Sequence, residues 1–219
     1  MKSVTHLLWI PAGAVVGALA SFVFGDLIRL PVDVYYLIYF GIIGSFLALY
    51  VRTTAFDWRA WISRRVRWGV ALGVLGGLVL MQGALARPAT PHLSGGALAW
   101  AVLYRGFVYG AVDGLLLLAF PWVVVWRSLR AESSGWGRKI TAGAASLLAV
   151  WTITTTYHLG YEDFRSSMIV QPNIGSTIGA VPTILTANPV ASPISHVFLH
   201  VTAVIHSPDT ELFLPPHRD

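Results

Sequence analysis

Apolar residues fall along the chain in blocks of about 20, the length that crosses a hydrocarbon core of about 30 Å as a helix. The blocks cover residues 4–25, 34–51 and 68–86, a stretch within 96–126, and 140–157. None alternates polar and apolar positions as a barrel strand would. The pattern predicts an all-α polytopic transmembrane bundle of five full spans in one domain, 1–219. A last apolar segment, 174–206, departs from it by carrying Pro182, Asn188, Pro189 and Pro193. It reads either as a sixth span or as two half-helices meeting at Asn188-Pro189, a re-entrant hairpin that leaves the tail on the side from which it entered. The first block has a second reading as a cleaved signal peptide, with Lys2 before it and Ala18-Leu19-Ala20 as the cleavage site. A retained span is preferred because the apolar run continues through Phe22, Val23 and Phe24.

Composition agrees: 55% of residues are hydrophobic and only 11% charged, with a mean hydropathy of +0.65, whereas soluble domains carry roughly 25% charged residues. The chain has no Cys. Disulfides and thiolate chemistry are thereby excluded, and any metal must be held by His, Asp or Glu.

The basic residues set an expected orientation. Arg52, Arg59, Arg64, Arg65 and Arg67 fall between the second and third blocks, and Arg127, Arg130, Arg138 and Lys139 between the fourth and fifth. Both loops share a side in an alternating topology, so the positive-inside rule makes that side, and the amino terminus, cytoplasmic. A bacterial inner membrane is the expected location. Trp58, Trp61 and Trp68 flank one loop and Trp122, Trp126 and Trp136 the other, as headgroup-level anchors do. The net charge of +5 then reflects topology and attraction to anionic membrane lipid, with no call for nucleic acid.

Gly69, Gly73 and Gly77, and again Gly106, Gly110 and Gly114, recur every four residues and predict close helix approach. Counted at 1.5 Å per residue from Arg127, Asp113 lies about 20 Å deep and Arg105 about 33 Å away near the far surface. Arg105 reads as a snorkelling side chain or a site residue, and Asp113 as a helix-bridging carboxyl or a functional one. His158 comes about 29 Å after Lys139, and Glu162 follows on the same face if the helix continues, with Asp163 beside it. Ser192-Pro193 is a good helix start, after which His196 and His200 share a face at metal-ligand spacing. A hydrogen-bonded His pair in a polar seam is the plain alternative.

Three stretches resemble the CAAX protease and bacteriocin-processing (CPBP) family of intramembrane metal-dependent proteases. Tyr104-Arg105-Gly106-Phe107-Val108-Tyr109-Gly110 is similar to the Arg half of its first motif, Tyr157-His158-Leu159-Gly160 to its second, and the run from Asn188 through His196 to His200 to its third. The chain departs from the pattern in having Trp100 and Ala101 where the family has two glutamates, Thr154 in place of Phe, and His200 in place of the last Asn.

Two functional readings follow. The chain is a non-catalytic membrane component, either a partner subunit of a larger assembly or a binder whose polar pocket includes Asp113, Arg105 and the broken last segment. Alternatively it is an intramembrane hydrolase, in which His158, His196 and His200 hold a divalent metal such as zinc near the outer face. There Glu162 or Asp163 would serve as base and Arg105 as a supporting group.

Overall fold

A computed structural model describes residues 6–209 and 213–215. Among them all regular structure is helical: α1 Trp9–Leu27, α2 Val32–Thr54, α3 Trp58–Ser63, α4 Val66–Leu85, α5 Gly95–Ser128, α6 Trp136–His158, α7 Val170–Thr186 and α8 Ala191–His206. Four of these, α1, α2, α4 and α5, are long and apolar enough to cross a membrane, as expected of an integral membrane protein. The fifth expected span, α6, is as long as α2 at 23 residues. It carries Arg138, Lys139 and the run Thr152, Thr154, Thr155 and Thr156, which make it less apolar.

α5 is the axis of the bundle. The apolar window of this helix is 78% buried, against 28–39% for the other three. It is regular over Tyr109–Gly114 and wound more loosely on either side, at Val102–Val108 and Leu115–Ala119. The second loosening has a local cause, since Pro121 offers no N–H to the carbonyl one turn back.

The broken last segment forms two antiparallel helices. Gln171, at the start of α7, accepts a hydrogen bond from Arg87 beyond the end of α4 (2.8 Å), and His206 at the end of α8 donates to the Arg87 carbonyl (2.9 Å). The turn between them sits at the other end of α4, where Asn188 Nδ2 donates to the carbonyls of Ile62 (2.9 Å) and Arg64. The segment is therefore a hairpin that enters and leaves at one end of the bundle, with arms of 17 and 16 residues. At about 1.5 Å per residue each arm reaches roughly 25 Å. The turn is built by Ala187, in the left-handed region at φ 51°, and by Asn188 Oδ1 accepting from Val190 N at 2.9 Å. Ser192 is not the cap: α8 starts one residue earlier, and Ser192 Oγ instead donates to Thr183 Oγ1 of α7 (2.7 Å), joining the arms.

α2 packs against α5 and α1 largely through aromatic rings. Tyr50 and Phe46 meet Phe120 edge-on at 5.2 Å, and Trp9 meets Tyr50 at 5.3 Å. In lipid, helices gain nothing by hiding apolar surface, so interlocking shapes and hydrogen bonds hold them together. Two expected headgroup anchors belong to this packing: Trp122 and Trp126 are buried and lie against one another, tilted, at 5.2 Å, Trp122 also meeting Trp61 at 5.5 Å. Their neighbours in the pattern, Trp58, Trp68 and Trp136, are exposed.

Candidate metal centre

Both glycine stripes grip the same helix. A Cβ on Gly73 of α4 would lie 2.7 Å from the carbonyl oxygen of Ala191, and one on Gly114 of α5 would lie 2.9 Å from Pro193 Cα and His196 Cβ. Gly77 faces Phe198 and Gly110 faces Val197 and His200 in the same manner. α8 is thus seated between α4 and α5 at a separation that only glycine permits. Its two histidines point at the middle of α5, their rings 4.7 Å apart as the one-turn spacing requires.

Asp113 meets them there. Its Oδ2 lies 2.9 Å from His196 Nε2 and 3.9 Å from His200 Nε2, and all three side chains are buried. One ligand atom from each residue falls within 4.8 Å of the others. Zinc ligands at about 2.0–2.1 Å in tetrahedral geometry stand about 3.3 Å apart, a spacing bracketed by the two carboxylate-to-imidazole distances. The other carboxylate oxygen is held from behind, Tyr39 donating to Oδ1 at 2.7 Å, as outer partners hold metal-ligating carboxylates. His196 Nδ1 has no hydrogen-bond partner. Neither nitrogen of His200 makes a bond of normal geometry, although that ring lies against the backbone of Phe213. Buried imidazole nitrogens left without partners are unusual in a purely structural seam. Together with the carboxylate, they are the donor set that a divalent metal such as zinc accepts.

These groups open onto a cavity of about 170 Å³ that His158 also lines. His158 Nδ1 donates to the Thr154 carbonyl at 2.8 Å. The proton is thereby fixed on Nδ1, and Nε2 keeps its lone pair. His158 is not among the three residues whose ligand atoms converge. The rest of the lining is mostly apolar, with Leu80, Leu117, Ile178 and Leu199, and includes the polar Thr154, Gln171 and Ser176; the cavity reaches the bundle's flank at the exposed Val79 of α4 and Ile174 of α7.

The remaining expected site residues lie elsewhere. α6 ends at His158, so Glu162 does not continue its face. The Glu162 side chain is exposed and lies 3.8 Å from Arg29, and neither it nor Asp163 lines the cavity. Arg105 is bound by Asp33 of α2 at 2.7 Å, with Trp100 Nε1 (3.2 Å) and the Tyr104 hydroxyl (3.0 Å, to the backbone) donating to the same residue. The carboxylate beside this arginine therefore comes from α2. Asn188 ties the hairpin turn to the α3–α4 loop and is remote from the cavity.

A tyrosine cluster behind the carboxylate has no counterpart in the sequence reading. The hydroxyl of Tyr157 bonds those of Tyr109 (2.8 Å) and Tyr161 (2.8 Å) and approaches that of Tyr35 (3.4 Å), which bonds Tyr161 at 2.5 Å. Tyr36 stacks on Tyr109 at 4.2 Å, and the Tyr109 ring stands edge-on to His200 at 4.9 Å. Tyr35 and Tyr39 of α2 are four apart, a helical spacing that puts the pair on one face, while Tyr161 lies beyond the end of α6. No family model, curated protein or solved structure matches this chain.

Proposed function

We propose that this chain is an integral membrane protein that holds a divalent metal such as zinc on Asp113, His196 and His200, and that it hydrolyses an amide or ester bond in the membrane. The reading is carried by the convergence of a carboxylate and two under-bonded imidazoles in one buried cavity. A zinc ion held there would supply a Lewis acid and make water more acidic at the site. Asp113 would supply the negative charge of the ligand set, with Tyr39 fixing its orientation. His158, with its Nε2 lone pair, is the group placed to take up and return a proton. Leu80, Leu117 and Leu199 keep bulk water from the site, and a substrate would enter from the bilayer between α4 and α7. Under the positive-inside rule the end bearing the two basic loops is cytoplasmic, and the hairpin opens on the opposite face. The resemblance to the CPBP family supports a site at His158 and His196, which stand at the histidines of its second and third motifs, while His200 replaces the last Asn. Arg105 and the glutamate-free first motif make the chain a divergent relative under this proposal.

A second reading is favoured by a specific feature: Asp113 is the one carboxylate among the described residues lining the cavity, and it is already engaged by Tyr39 and His196. Without a spare acid, the site would bind a metal or polar ligand without turnover, as a subunit of a larger membrane assembly. Metal analysis of the full chain, purified in mild detergent and washed of loose ions, tests the site itself. About one tightly held ion per chain is expected, lost in Asp113→Ala and in His200→Ala; undiminished retention in both variants discards the ligand set. Hydrolysis of a membrane-embedded amide or ester reporter, abolished in His158→Ala while the metal stays, supports the enzyme. Metal without turnover and a co-purifying partner support the second reading.

A further inference from the structure

The end of the bundle that bears the basic loops holds a second polar cavity, of about 350 Å³, which shares no residue with the first. It lies in the wedge where the start of α1 meets the ends of α2 and α5, and is lined by His6, Thr53, Thr54, Arg127, Ser128 and Arg130. No carboxylate lines it. Among the described residues Arg29, Arg64, Arg105 and Arg165 each have an acid partner within 4.0 Å, and Arg127 and Arg130 have none.

Arg127 is nonetheless held in place. Its Nη1 donates to Thr54 Oγ1 (3.0 Å) and the Tyr50 hydroxyl (3.3 Å), its Nη2 to the Thr54 carbonyl (3.0 Å), and its guanidinium lies 5.1 Å from the centre of the Phe56 ring. These bonds leave Nε–H and one Nη2–H for another acceptor. A half-buried cation fixed by neutral groups, beside a second arginine and no acid, is an incomplete charge arrangement that an anion completes. Guanidinium N–H pairs match the oxygens of a phosphate, while the hydroxyl protons of Thr53 and Thr54 go to the carbonyls of Leu49 and Tyr50.

We propose that this cavity binds a phosphate group, supplied by the headgroup of an anionic phospholipid of the leaflet that meets the basic loops or by a soluble phosphate. Position favours the lipid: the exposed Trp58 and the basic residues of the neighbouring loops stand at the same end, as headgroup-level residues do. This inference does not depend on a metal at Asp113.

The test is retention of lipid by the full chain in nanodiscs of mixed phosphatidylglycerol and phosphatidylcholine, read by native mass spectrometry. A second arm titrates inorganic phosphate into protein in phosphatidylcholine alone. Wild type should retain phosphatidylglycerol preferentially, with the preference falling about fivefold for each arginine removed in Arg127→Gln and Arg130→Gln, since one basic residue near an anionic surface contributes about that factor. Arg130 is exposed and its side chain makes no hydrogen bond or ion pair among the described residues, so its variant keeps the test open if Arg127→Gln fails to fold. Arg138→Gln, an exposed charge at the same end that does not line the cavity, should lower the preference clearly less than Arg130→Gln does. Saturable, Arg130-dependent binding of inorganic phosphate without lipid preference would assign the site to the soluble source. No preference in either arm, or equal losses in Arg130→Gln and Arg138→Gln, would show only diffuse attraction and overturn the proposal.

Discussion

The two sides of α5 are packed in opposite ways. Toward α2 and α6 it presents Tyr109 and Asp113 to a set of large buried rings, whose hydroxyls supply one another with hydrogen bonds. Toward α8 it presents Gly106, Gly110 and Gly114, and the backbones come so close that a methyl group has no room. The ring side fills volume and fixes the carboxylate from behind. The glycine side removes volume and carries two imidazoles up to it from the front. Neither side makes the site alone, because Asp113 needs Tyr39 for one oxygen and His196 for the other.

Removing the shared carboxylate should do most damage. Asp113→Ala leaves Tyr39 and His196 without their partner in a buried place, an effect on the order of 3–5 kcal/mol, visible as a lower detergent-unfolding midpoint together with lost metal retention. Asp113→Asn keeps the shape and the Tyr39 bond, so stability largely recovers while metal retention does not. Equal retention in both variants and wild type would remove Asp113 from the ligand set.

Filling the glycine side comes next. Gly114→Ala puts its Cβ 2.9 Å from His196 Cβ and should cost about 1–3 kcal/mol by overpacking, weakening metal retention although no ligand has changed. Gly44→Ala on α2 meets nothing within 4 Å and should be neutral or slightly stabilising, by up to about 1 kcal/mol from helix propensity. If both variants unfold alike, the seating of α8 between the stripes is not what positions the histidines.

On the ring side, Tyr157→Phe removes the hydroxyl that meets Tyr35, Tyr109 and Tyr161. The expected loss is about 1–2 kcal/mol, with the metal retained, since the ring still fills its place. The smallest effect is expected outside both packing faces: Arg105→Gln breaks an ion pair whose side chains are 29% and 39% exposed, a change of about 1 kcal/mol or less. A loss of metal or activity in that variant at unchanged stability would give Arg105 a part in the site that its distance from the cavity does not suggest.

How much was legible in the sequence depends on the range of the interaction. Hydrophobic blocks of about 20 residues predict membrane-length helices because each helix satisfies its own backbone. Lys and Arg between blocks, and the prolines of the last segment, are equally local signals. The His196–His200 pair was visible because both residues lie on one helix. Glu162 was misplaced for a local reason, the end of α6 at His158, foreshadowed by Gly160 two residues on.

The sequence by itself determined the helical membrane class, the break at Asn188-Pro189, the two glycine stripes and the pairing of the last two imidazoles on one face. Only the tertiary structure decided that the last segment doubles back as a hairpin, that both stripes seat the same helix, and that Asp113 rather than Glu162 meets the histidines. Spacing along a chain records which side chains share a helix face. Which faces meet is fixed by the fit of distant surfaces, here a carboxylate at position 113 and an imidazole at 196 brought to 2.9 Å, and no local pattern encodes that fit.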